Sequence, residues 1–317
     1  MTCDAPCAAC PWGPLRVGAA LARLPRVALR HWVLVPPTRW ARALGSDADA
    51  AQRFRRAVVG RVVGDIERAA RAQLGHARGR AGAVAVLHAV GSDLRPRAHV
   101  HVIATDGVFV PADRGPASFV ALAQTLAEPA LRELARVVGA EARNVLPQPP
   151  FARVEPSGVR VRGDAAAPVR AGTVVQARGT EVFVGTRVEA HDRRAAERLA
   201  AYVTRPPLSP GAVRSVGGGD VQLALREPSG DGAVALRLPE AVFEQRVQAM
   251  VASGAGQRMS VHGVLAPGSA VRWRGDGVQL RLVDTERAVR RERAEVERCG
   301  CGGRLEVVAV EPDRRHG

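Results

Sequence analysis

Apolar residues follow two rhythms along this chain, and the order in which they alternate predicts its fold. Residues 31–35 (HWVLV) form a short apolar run closed by Pro36-Pro37, the pattern of a buried strand. Across 46–74 the apolar positions Phe54, Val58, Val62, Val63 and Ile66 recur at helical spacing, with many arginines opposite. Two runs, 83–90 (AVAVLHAV) and 98–105 (AHVHVIAT), flank the polar loop GSDLRPR and read as paired strands. Residues 116–140 return to a helical pattern, and 154–188 hold short valine-rich strands broken by turns. A helix over about 192–203 stops at Pro206-Pro207. Further strands and one helix near 241–251 occupy 209–285, and 284–298 read as an Arg/Glu-rich helix with supporting ion pairs. This order predicts an α+β domain with a mainly antiparallel sheet.

Composition narrows the class of partner. With 317 residues, the chain can form one large domain or two modest ones with a real core. No apolar run reaches the roughly 18 residues of a membrane span. The start, Met1-Thr2-Cys3-Asp4, lacks the basic-then-apolar layout of an export signal, so a cytoplasmic, nucleoid-associated protein is expected. All 46 basic residues are arginine, and the net charge is +15. A GC-rich coding sequence explains arginine in place of lysine but not the excess over acidic residues. That excess favours a polyanion, because arginine contacts to phosphates release counterions. A generic basic protein is the plain alternative.

Two features carry candidate chemistry. Alternation along 98–103 (AHVHVI) puts His99 and His101 on one strand face, with Val100 and Val102 on the other. Two imidazoles so placed can grip one divalent cation, although a His-x-His pair alone is commonly structural. If 83–90 and 98–105 form a hairpin, His88 lies opposite His99 or His101. It is then a third ligand, or else it packs or faces solvent. The second feature is Tyr202, the single tyrosine, on the helix before Pro206. Arg194, Arg198 and Tyr202 recur every four residues and share a face, beside an apolar stripe of Ala195, Ala196, Leu199 and Val203. A phenol flanked by guanidinium groups suits attack on a phosphodiester, because positive charge favours the phenolate and holds the phosphate. The alternative is a tyrosine at a helix–sheet boundary with its hydroxyl in water.

In combination these segments resemble a known family. Residues 82–110 (GAVAVLHAVGSDLRPRAHVHVIATDGVFV) resemble the histidine-motif core of rolling-circle insertion-sequence transposases, members of the HUH endonuclease superfamily. Residues 192–208 (DRRAAERLAAYVTRPPL) resemble their tyrosine helix with its Arg-Pro-Pro exit. Residues 29–34 (LRHWVL), Asp231-Gly232 and 262–272 (HGVLAPGSAVR) extend the likeness in the family's order over about 29–310. The resemblance implies an HUH-type central sheet flanked by helices over 29–208, and a smaller DNA-handling region over 209–290. Residues 1–28 and 291–317 would be degenerate cysteine-rich ends. It also implies magnesium or manganese on His99 and His101, with His88 the geometric choice for third ligand, polarising the scissile phosphate. Tyr202 would attack single-stranded DNA, leaving a 5′-phosphotyrosine link and a free 3′ hydroxyl for later strand transfer. Helix geometry adds Arg194, Arg198 and Arg205 as phosphate clamps.

The chain departs from that family pattern in places. Members often carry two tyrosines four residues apart, and the earlier position here is Arg198, which implies a one-tyrosine mechanism or an impaired protein. Structural zinc needs about four ligands. Cys3, Cys7 and Cys10 with Cys299 and Cys301 supply them only if the termini converge; otherwise both zinc modules are truncated or decayed. Two alternatives stay open: a non-catalytic single-stranded-DNA-binding remnant, and an unrelated basic nucleic-acid-binding protein. His31, His76, His191 and His316 have no partner visible in sequence and read as solvated or packed, whereas His262 contacts DNA or caps a turn.

Overall fold

The computed structural model describes residues 17–266, less 19, 76–77, 112–116, 150–157, 163–170, 209–210, 227–231 and 253–257, together with 2–3, 269 and 305–306. In chain order the elements are β1 (Thr2–Cys3), β2 (Leu29–Val35), α1 (Thr38–Gly45), α2 (Ala48–Leu74), β3 (Gly82–Val90), β4 (Pro96–Thr105), β5 (Gly107–Val110), β6 (Ser118–Ala121) and α3 (Glu128–Val145). They continue with β7 (Val159–Arg162), β8 (Gly172–Ala177), β9 (Thr180–Val188), α4 (Arg193–Thr204), β10 (Val213–Gly217), β11 (Asp220–Ala224), β12 (Ala233–Pro239), α5 (Glu240–Ala252), β13 (Arg258–Gly263) and β14 (Leu305–Glu306). The protein is α+β. Its main sheet has six strands in the order β13-β3-β4-β2-β9-β8, and every neighbouring pair is antiparallel.

Side-chain alternation assigns the two faces of this sheet. Ala83, Ala85 and Leu87 of β3, with Ala98, Val100, Val102 and Ala104 of β4, face the large core under α2 and α3. Val84, Val86 and Ile103 face the other way, into a second cluster with Ala196 and Val203 of α4. β3 is buried along its whole length because both of its faces are covered. The 27-residue α2 supplies Phe54, Val58, Val62 and Ile66 to the larger core. Its start is fixed by Asp47, whose carboxylate accepts the Ala50 N–H at 2.8 Å, and its end by Gly75 at φ 67°, a left-handed cap suited to glycine.

Part of the helical reading of 116–140 is corrected. Residues 118–121 form strand β6 against β5, where the Phe109 and Phe119 rings meet at 5.1 Å, and the helix begins only at Glu128. Pro129 in the first turn favours a start there, since its missing N–H costs nothing at a helix N-terminus. The structure also adds α1 directly after Pro36-Pro37, with the Trp40 indole donating to the Leu146 carbonyl at 3.1 Å. The Arg/Glu-rich stretch 284–298 lies outside the described residues.

A second sheet, β10-β11-β12-β7, packs Val221, Leu236 and Leu238 against Val242 and Phe243 of α5. The two sheets exchange strands along the chain. β13 edges the main sheet beside β3, while β7 pairs with β12 in the smaller one. Arg246 of α5 is buried and donates to the Asp93 carbonyl at 3.0 Å, which ties the second layer to the β3–β4 loop.

Candidate metal and tyrosine site

The β3–β4 pairing places His88 directly opposite His99, the register that strand alternation predicts. His101 follows two residues along β4 on the same face. One ligand nitrogen from each of His88, His99 and His101 lies within 4.8 Å of the others. Ring centroids are 4.4 Å apart for His88–His101 and 5.0 Å for His88–His99.

Each ring already has one nitrogen engaged. His88 Nε2 donates to the Val203 carbonyl at 2.7 Å, and His99 Nδ1 to the Arg97 carbonyl at 2.9 Å. A nitrogen that faces a carbonyl must carry the proton, so His88 Nδ1 and His99 Nε2 keep their lone pairs. His101 Nδ1 lies 3.0 Å from Nε2 of a fourth histidine, His31. Holding the far nitrogen in this way is how proteins orient imidazole ligands. A group of three imidazoles is a donor set that a divalent metal ion can use.

The electrostatics keep the cluster neutral. Burial is the main cause that drives His88 and His101 well below 6.5, helped by the neighbouring imidazoles and the Arg205 charge. Burial likewise lowers His99 to about 4, with Arg97, Arg226 and Arg205 adding to the effect and the bond to the Arg97 carbonyl opposing it. Neutral imidazole is the metal-binding form. A stability consequence follows for the metal-free protein. Unfolded His99 titrates near 6.5 but folded His99 near 4, so between these values the unfolded chain binds more protons. The contribution of neutral His99 is therefore complete above about pH 6.5 and is lost as pH falls toward 4. Urea unfolding is expected to show a stability loss of about 3 kcal/mol from this residue over that interval, reduced in His99→Gln. An equal acid loss in the variant contradicts it.

Tyr202 reaches the cluster because α4 docks on this face through Ala196, Val203 and the half-buried Leu199. Asp192 caps the helix by accepting the Ala195 N–H at 2.8 Å. The phenol ring stands edge-on to His101 and to His31, with centroids 5.6 Å away in each case. It is half-buried, and the Arg205 guanidinium lies 4.2 Å from its centroid. The His88 bond ends on Val203, the residue after the tyrosine, so metal-ligand candidate and phenol are tied through one peptide unit.

Arg194 and Arg198 are exposed on α4, two turns and one turn before Tyr202. Arg97, Arg226 and His31 were not among the sequence-level candidates. The charges of Arg97 and Arg226 act on the histidines, and Arg226 also donates to the Pro206 carbonyl at the helix exit. Cys3 lies in β1, whose backbone pairs with β14 and so brings the two ends of the chain together; Cys7, Cys10, Cys299 and Cys301 lie outside the described residues. His262 pairs with Ser260 Oγ at 2.7 Å, while His191 is exposed.

A sheet-borne cluster of neutral imidazoles, faced by a phenol and flanked by arginines, marks this basic α+β protein. Residues 82–272, more than half of the chain, match the model of the family described as "Putative transposase". The chain belongs to this transposase family, so it is a DNA-processing protein with DNA as its partner. No curated protein and no solved structure gave a match. Among the described residues, no helix is long and apolar enough to cross a membrane.

Proposed function

We propose that this transposase nicks and transfers single-stranded DNA by covalent catalysis at Tyr202, in the rolling-circle manner of HUH endonucleases. The observation that carries this reading is the approach of the Tyr202 ring to the His101 ring at 5.6 Å. In the nicking step the Tyr202 hydroxyl oxygen bonds to phosphorus and the bond from phosphorus to the 3′ oxygen breaks. The phenolic proton leaves to solvent and the 3′ oxygen ends as a hydroxyl, so the 5′ strand stays on the protein for rejoining. A divalent ion held by His88, His99 and His101 would polarise the scissile phosphate as a Lewis acid. Arg205 stands over the phenol and offsets its developing negative charge. Arg194 and Arg198 lie exposed along the same helix as contacts for flanking phosphates.

The test is incubation of the purified protein and manganese with single-stranded oligonucleotides carrying candidate element ends. A covalent adduct that maps to residue 202 is expected. DNA binding without any adduct overturns covalent catalysis and leaves a non-catalytic DNA-binding remnant.

A further inference from the structure

We propose that His31 is a positioning residue for the cation centre, holding His101 with its Nδ1 protonated and its Nε2 free to ligate. The proposal rests on the metal reading of His88, His99 and His101. His31 comes from β2, which lies next to β4 in the sheet, and it pairs with Ile103, two residues along β4 from His101 and on the same face. Its Nε2 meets His101 Nδ1 at 3.0 Å with the two rings parallel to within 2°. Both imidazoles are buried. With neutral rings, one of these nitrogens donates and the other accepts. A ligand that turns Nε2 to a cation must carry its proton on Nδ1, so His31 Nε2 is the acceptor.

The backbone next to His31 is irregular on the β9 side. Along β2 and β9, Arg30 pairs with Arg187 but Trp32 pairs with Val184, so His31 stands opposite two residues, Gly185 and Thr186. The extra residue lies on β9, and such a bulge bends that strand and raises the local twist beside His31. Arg30 fastens it by donating from Nη1 to the Gly185 carbonyl at 2.9 Å, and it also clasps Asp106 with Nε and Nη2. A Cβ on Gly185 would already touch the His31 Cβ at 3.4 Å. The ring of His31 is also edge-on to Tyr202 at 5.6 Å, so the residue that orients the ligand borders the nucleophile as well. The His31–His101 contact is made across the regularly paired β2 and β4, and the buried Arg30–Asp106 pair beside it holds β2 in place.

The test is a manganese titration of the full chain, followed by electron paramagnetic resonance, for the unsubstituted protein, His31→Phe and His31→Gln. Phenylalanine keeps the ring but has no acceptor, whereas the glutamine amide oxygen accepts the same hydrogen bond. His31→Phe is expected to weaken manganese binding about 10–100-fold, and His31→Gln to restore most of it. Unchanged affinity in the phenylalanine variant overturns the role of His31 alone, as does a glutamine variant equally weak. Failure of the unsubstituted protein to bind manganese overturns the metal centre and the role of His31 with it. Nitrogen-15 NMR of the unsubstituted protein supplies a second readout that needs no variant to fold. It should find His101 as the Nδ1–H tautomer, and the Nε2–H tautomer would overturn the proposal.

Discussion

Tyr202→Phe is expected to remove covalent attachment to DNA, lowering adduct yield on the order of 10⁴-fold or more. The chain has a single tyrosine, so this substitution removes its only phenol. The phenylalanine ring keeps the edge-on contacts to His31 and His101 and the stacking under Arg205, so fold and DNA affinity should stay close to those of the parent. Loss of adduct with binding retained therefore isolates the chemistry of the hydroxyl. An adduct that persists in the variant identifies another nucleophile and removes Tyr202 from the mechanism.

Asp106→Ala is expected to destabilise the protein by about 3–5 kcal/mol, because it strands buried positive charge. The Asp106 side chain is 3% exposed and accepts from Arg30 at 2.7 and 2.9 Å and from Arg187 at 2.5 Å. Removing the carboxylate leaves two guanidinium groups with carbonyl partners, Gly185 for Arg30 and Leu122 for Arg187, but no counter-charge. Denaturation in urea measures the effect, and an unchanged midpoint would show that the arginines find water when the carboxylate is gone. The same network fastens the β9 bulge opposite His31, so a folded variant should also bind manganese more weakly.

Much of the site was legible because strands have a strict period of two. That period placed His99 and His101 on one face and, once a hairpin was assumed, brought His88 to them without knowledge of the rest of the sheet. The tyrosine helix was equally readable from Asp192 at its start and Pro206-Pro207 after its end. What sequence could not supply was adjacency. His31 lies 70 positions from His101, and only the placement of β2 beside β4 turns an isolated histidine into part of the cluster. Arg226 reaches the tyrosine-helix exit from beyond β11 in the second sheet, and no local pattern marks it. The error over 117–127 has a different origin. Apolar residues at Phe119, Val120 and Leu122 fit either period over so short a run, and pairing with β5 decided for strand.

On the proposed mechanism the phenol of Tyr202 borders a cation held by His88, His99 and His101. Selective carbon-13 labelling of tyrosine gives one ring signal, because there is one tyrosine to label. One equivalent of manganese should broaden that signal beyond detection through paramagnetic relaxation, and substitution of all three histidines by alanine should leave it sharp. A tyrosine signal that stays sharp in the unsubstituted protein at stoichiometric manganese would contradict the account.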